Sequence, residues 1–143
     1  MIYEFSAYIS SILEIEEPKI ILEEDDAFPT PTMMGYYSSI ENAVHLKKSL
    51  QIPNQCFAIA HELRHAWQIK TNVEKYLENY EIRANCNVEP YNLQLAELDA
   101  NAFATCAMAK AFGVRPLFTG MNKEIVAEIF KYAEKPEIAE LFQ

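Results

Sequence analysis

Two histidines and a glutamate stand close together in His61-Glu62-Leu63-Arg64-His65, and their spacing suits chemistry at a single ion. On an α-helix, residues four apart lie about 40° apart around the axis and about 6 Å along it, so the two imidazoles can converge. Zinc accepts neutral imidazole nitrogen readily, and a zinc site that does chemistry takes three protein ligands and keeps a fourth position for water. Glu62, beside the first histidine, is placed to take a proton from such a water. The preceding Phe57, Ala58, Ile59 and Ala60 are small or apolar, which predicts a largely buried helix. Leaving a polar group unpaired in a core costs on the order of several kcal/mol. A metal is one partner that removes this cost. Hydrogen bonds on a surface helix are the blander alternative.

A third ligand is expected from a second helix, in Glu97-Leu98-Asp99-Ala100-Asn101-Ala102-Phe103-Ala104. Glu97 and Asp99 fall about 200° apart on a helix, so only one can face the ion. Glu97 is the preferred candidate. One turn on, Ala100 is small enough for helices to approach closely, and Asn101 can hydrogen-bond a liganding carboxylate. Asp99 is the alternative.

The stretch His61-Glu62-Leu63-Arg64-His65-Ala66-Trp67-Gln68, followed by Glu97-x-Asp99-Ala100-Asn101-x-Phe103-Ala104, resembles the gluzincin metallopeptidases. The nearest flavour is the small ImmA/IrrE-like and minigluzincin type of bacteria, phages and mobile elements. The resemblance spans roughly residues 35–110. It implies a zincin-like domain in which His61, His65 and Glu97 bind Zn2+, with Glu62 as the base for hydrolysis of a peptide or protein substrate. It also implies that the strand pair over Gly35–Leu46 offers an edge that aligns an extended peptide. One position departs from the pattern: Arg64 stands where ImmA/IrrE proteins usually have Gly, which leaves the natural substrate open. The oxyanion of such a reaction needs a donor, and Tyr76, Tyr80, Tyr91 and His45 are the candidates. Two other readings compete, a regulatory or binding protein that keeps the fold with little general peptidase activity, and a structural zinc module. The intact Glu62 disfavours both, because neither needs a base.

The elements that must position these residues read as α+β, with a small antiparallel sheet, an active-site helix and further packed helices. Phe5, Tyr8, Ile9, Ile12 and Leu13 recur at helical spacing over about residues 3–15. Residues 19–22 are β-like, and the prolines at 29 and 31 make residues 25–32 a loop. Residues 36–40 and 43–46 read as two strands joined at Glu41-Asn42. Pro53-Asn54 opens a helix whose stripe of Phe57, Ala60, Leu63, Ala66 and Trp67 runs to about Ile69. Residues 72–85 are expected to be helical. Glu89-Pro90 is expected to open one long alanine-rich helix through Phe112, closed by Gly113. A helix over 122–134 and a short one from Pro136 follow. On this pattern His45 takes the outward phase of its strand and is expected to be exposed. Trp67 reads as a core anchor, Cys56 and Cys106 as small core residues, and Arg64 as a partner of Glu97 or Asp99.

A chain of 143 residues fits a single domain over 1–143 and can bury a core without a metal to hold it. A metal would then serve chemistry rather than folding. The net charge of −9 makes nucleic acid a poor partner. An odd set of cysteines, Cys56, Cys86 and Cys106, argues against a disulfide framework and fits the cytoplasm. No basic start leads into an apolar run, and no apolar run approaches the roughly 20 residues of a membrane span. Oligomeric state is not readable from the sequence.

Overall fold

The structure is a computed structural model that describes residues 1–143. Its secondary structure is α+β, as expected: α1 (Ile2–Leu13), β1 (Lys19–Glu23), β2 (Gly35–Ser38), β3 (Ala43–Lys47), α2 (Ile52–Leu77), α3 (Val88–Leu93), α4 (Leu95–Phe112), α5 (Lys123–Ala133) and α6 (Pro136–Ala139). Two compact units divide the chain, Met1–Trp67 and Gln68–Gln143. No helix is long and apolar enough to cross a membrane.

In the first unit, α1 buries Ile2, Phe5, Ile9 and Leu13 along one stripe and ends at Glu14, whose φ of 55° lies in the left-handed region. The sheet order is β1-β3-β2. β2 and β3 pair antiparallel as the turn predicted, with Asn42 at φ 49° in the turn and accepting a hydrogen bond from Tyr37 at 3.0 Å. β1 adds to the other side of β3 in parallel, so the sheet is mixed rather than antiparallel throughout. The central strand β3 is buried along its whole length. Gly35 is required where β2 meets β3, because a Cβ there would stand 2.5 Å from the backbone oxygen of His45.

α2 places Cys56, Ile59, Ala60 and Leu63 at i, i+3, i+4 and i+7, and all four are fully buried. It runs past the expected end near Ile69, with a break at Asn72. The Asn72 side chain accepts from the Lys75 backbone N–H at 3.1 Å, which caps the turn that restarts the helix. The helix expected over 72–85 therefore stops at Leu77. Asn79 follows with φ 64°, a conformation that no helix can propagate.

In the second unit, the long helix expected from Pro90 to Phe112 is two helices, divided at Gln94 with ψ 143°. Gln94 bonds through its side chain to the Tyr91 carbonyl at 3.1 Å and to both backbone polar groups of Glu81. Such side-chain bonds compete with the helical ladder, which the alanine-rich composition does not reveal. α4 then runs to Gly113, a left-handed cap at φ 66° as predicted. Ala102 packs in a cluster with Ile125 and Ile129 of α5, Tyr132 and Ile138. Asn122 caps α5 by accepting from the Ile125 N–H.

Candidate metal centre

The apolar stripe that buries one side of α2 leaves His61, Glu62 and His65 half-buried on successive turns. The Nε2 atoms of His61 and His65 lie 3.1 Å apart, with the ring planes at 83°. Two nitrogens held about 2.0–2.1 Å from a tetrahedral zinc would stand roughly 3.3 Å apart, so the pair already has nearly the spacing a shared ion requires. A carboxylate oxygen of Glu62 lies 3.8 Å from Nε2 of His61, and each of these side chains keeps 14% of its surface open. Next to them Arg64 is buried, with its guanidinium over the Trp67 ring at 3.7 Å. Trp67 itself is half-buried rather than a full core anchor.

The second unit carries the two candidate carboxylates in the first turns of α4. Glu97 is 2% exposed, and its Oε2 accepts a hydrogen bond from the Tyr80 hydroxyl at 2.7 Å. Tyr80 in turn lies 3.1 Å from the hydroxyl of Tyr91. Burial first, then the Glu97 charge and Tyr91, push the Tyr80 hydroxyl far above the ordinary phenol range, so it stays a neutral donor. Asp99 is fully buried and accepts from Nε2 of Gln68 at 2.8 Å, while the same amide reaches the Ala96 carbonyl at 3.0 Å. Ala100 is fully buried, as close packing of this helix requires, and Asn101 is 4% exposed.

His45 departs from its predicted exposure. It sits on the central strand, is 6% exposed and stacks on Tyr36 with ring centroids 4.6 Å apart. Its Nε2 is 2.8 Å from Glu41, and its Nδ1 makes an ionic contact with Glu23 at 3.2 Å. Burial pulls its pKa down, but the Glu41 and Glu23 carboxylates outweigh burial and hold it above the usual histidine value. Outward phase means exposure only in a sheet with one open face; here strands flank β3 on both sides and both of its faces are covered.

Residues bonded to the candidate carboxylates escaped sequence reasoning. Tyr80 lies in a loop 17 positions from Glu97, beyond any helical periodicity. Gln68 is 31 positions from Asp99, although its place three residues after His65 on the same helix was a usable signal.

Residues 6–131 match the family described as "Putative metallopeptidase family (DUF6782)", and the chain belongs to that family. No curated protein and no solved structure matches it.

Proposed function

We propose that this chain is a zinc-dependent peptidase of the gluzincin kind, working as one zincin-like domain, with His61, His65 and Glu97 as metal ligands and Glu62 as general base. The observation that carries this reading lies on α2, where the Nε2 atoms of His61 and His65 approach to 3.1 Å with the Glu62 carboxylate beside them. Two imidazoles and a carboxylate form a donor set that catalytic zinc uses while keeping a position for water. Membership of a metallopeptidase family supports both a metal and a peptide or protein substrate. The bond from Gln68 to Asp99 supports Glu97 over Asp99 as the third ligand. The unpaired Cys56, Cys86 and Cys106 support work in a reducing compartment, the cytoplasm.

When bound, zinc supplies Lewis acidity toward a water and toward the scissile carbonyl. Glu62 takes the proton from that water and delivers it to the leaving amine. Its partial exposure suits a group that must exchange protons with a reacting molecule. Burial of Glu97 suits a ligand that must not move.

The test combines metal analysis of purified protein, before and after chelation, with cleavage of casein or a peptide library. Bound zinc and chelator-sensitive cleavage are expected. Glu62→Gln should keep the metal while turnover falls roughly a hundred- to ten-thousandfold. A wild type that takes up no metal, or a Glu62→Gln protein with full metal and full activity, overturns the reading.

A further inference from the structure

We propose that Tyr80 is a positioning residue that pins one oxygen of the Glu97 carboxylate and leaves the other for the metal ion. The inference rests on the reading of Glu97 as a ligand. It stands on geometry within the second unit. The Tyr80 to Glu97 contact of 2.7 Å is in the short range of hydroxyl donors on ionised carboxylates. Tyr80 has one proton, and the carboxylate is its stronger acceptor. The Tyr91 hydroxyl, 3.1 Å away, is the longer and weaker contact of the same Tyr80 hydroxyl. Tyr80 thus stands between Tyr91 and Glu97, with its shorter bond on the carboxylate.

The backbone around Tyr80 is built to hold it there. Asn79 takes a left-handed turn at φ 64°, and the Tyr80 N–H donates to the Leu77 carbonyl at 3.1 Å. Gln94 then clamps the next residue from both sides. Its Oε1 accepts from the Glu81 N–H at 2.7 Å, and its Nε2 donates to the Glu81 carbonyl at 3.0 Å. Tyr91, Gln94 and Glu97 fall at intervals of three residues, and each bonds to Tyr80 or to Glu81. The break that divides α3 from α4 at Gln94 thus also fixes the loop carrying Tyr80. A carboxylate free to turn can offer an ion one oxygen or two. With Oε2 engaged by Tyr80, Glu97 would offer a bound ion one oxygen, leaving room in a four-coordinate site for water.

The test uses the full chain, freed of metal by chelation and titrated with zinc against a chromophoric chelator. Cobalt(II) spectra report coordination number, and the thermal midpoint of the metal-free protein reports folding. Tyr80→Phe should weaken zinc binding roughly 10- to 100-fold. It should also lower the visible cobalt absorption, as the released oxygen raises the coordination number. Tyr91→Phe, one bond removed, should weaken binding roughly two- to tenfold. A purely structural tyrosine would shift the metal-free midpoint and leave the cobalt spectrum unchanged. A folded Tyr80→Phe protein with wild-type zinc affinity and cobalt spectrum overturns the inference. Should that variant fail to fold, Tyr91→Phe and Gln94→Ala decide it, and wild-type zinc binding in both overturns it equally. A wild type that binds neither zinc nor cobalt defeats the ligand reading of Glu97 and this inference with it, a result distinct from wild-type binding that the variants share.

Discussion

Glu97 and Asp99 are both buried on the same helix, at 2% and 0% exposure, and replacing each by its amide separates their work. Glu97→Gln keeps an oxygen able to accept from Tyr80, and a buried neutral amide carries less desolvation cost than a buried charge. Its bond from Tyr80 becomes a neutral one, so the midpoint of the metal-free protein should fall by no more than a few degrees. Zinc affinity, in contrast, should fall more than about 100-fold, beyond what the loss of an outer partner costs. Asp99→Asn also keeps an acceptor for Gln68. There, however, a charge-assisted bond of about 1.5–3 kcal/mol becomes a neutral one of about 0.5–1.5 kcal/mol. The loss is about 1 kcal/mol, which for a chain of this length lowers the midpoint by roughly 3–5 °C. Its zinc affinity should stay near that of the wild type. Circular dichroism melts in excess chelator and a zinc competition titration measure the two quantities separately. If Asp99→Asn loses zinc while Glu97→Gln retains it, the ligand assignment is wrong.

His45 supplies a pH prediction with a definite sign. Its folded-state pKa is raised, so its contribution to stability is full below the unfolded value near ~6.5 and is lost as pH rises through the folded value. The thermal midpoint of the metal-free protein should drop across that window, and His45→Gln should remove the drop; a step that survives in the variant would assign it to another group. Gly35→Ala should destabilise by roughly 1–3 kcal/mol, since its Cβ would press on the His45 carbonyl across β2 and β3. Urea unfolding measures this, and an unchanged midpoint would deny the close approach.

The readable parts of this fold are those governed by local rules. The stripe of Phe57, Ala60, Leu63, Ala66 and Trp67 identified α2, though the buried face is centred on Cys56, Ile59, Ala60 and Leu63, and Gly113 marked the end of α4. The convergence of His61 and His65 was also legible, because i, i+4 spacing makes it a property of any helix carrying them. The misses arose where tertiary context won. The break at Gln94 comes from side-chain bonds to a distant backbone, and helix propensity contains no term for them. His45 was misjudged because outward phase means exposure only when a strand has one open face. Tyr80 stands among several tyrosines that could donate to an oxyanion; its bond to Glu97 depends on a loop path that no periodicity encodes.

In the proposed reading, three carboxylates carry three roles because their surroundings differ, a general route to dividing chemistry among like groups. Asp99, fully buried and bonded to the Gln68 amide, is suited to holding α4 to the end of the helix that bears the histidines. Glu97, nearly as buried, has one oxygen held by a hydroxyl that burial keeps neutral. A neutral donor steadies the carboxylate without competing with a cation for its charge, as a lysine or arginine would. Glu62 keeps part of its surface open and lies 3.8 Å from a histidine nitrogen, beyond hydrogen-bond length. Exchanging Glu62 and Glu97 would fail on both counts: a ligand at the open position would be loosely held, and a base at the buried one would be locked to Tyr80. The proposed division therefore follows from environment, since the side chains of Glu62 and Glu97 are chemically identical.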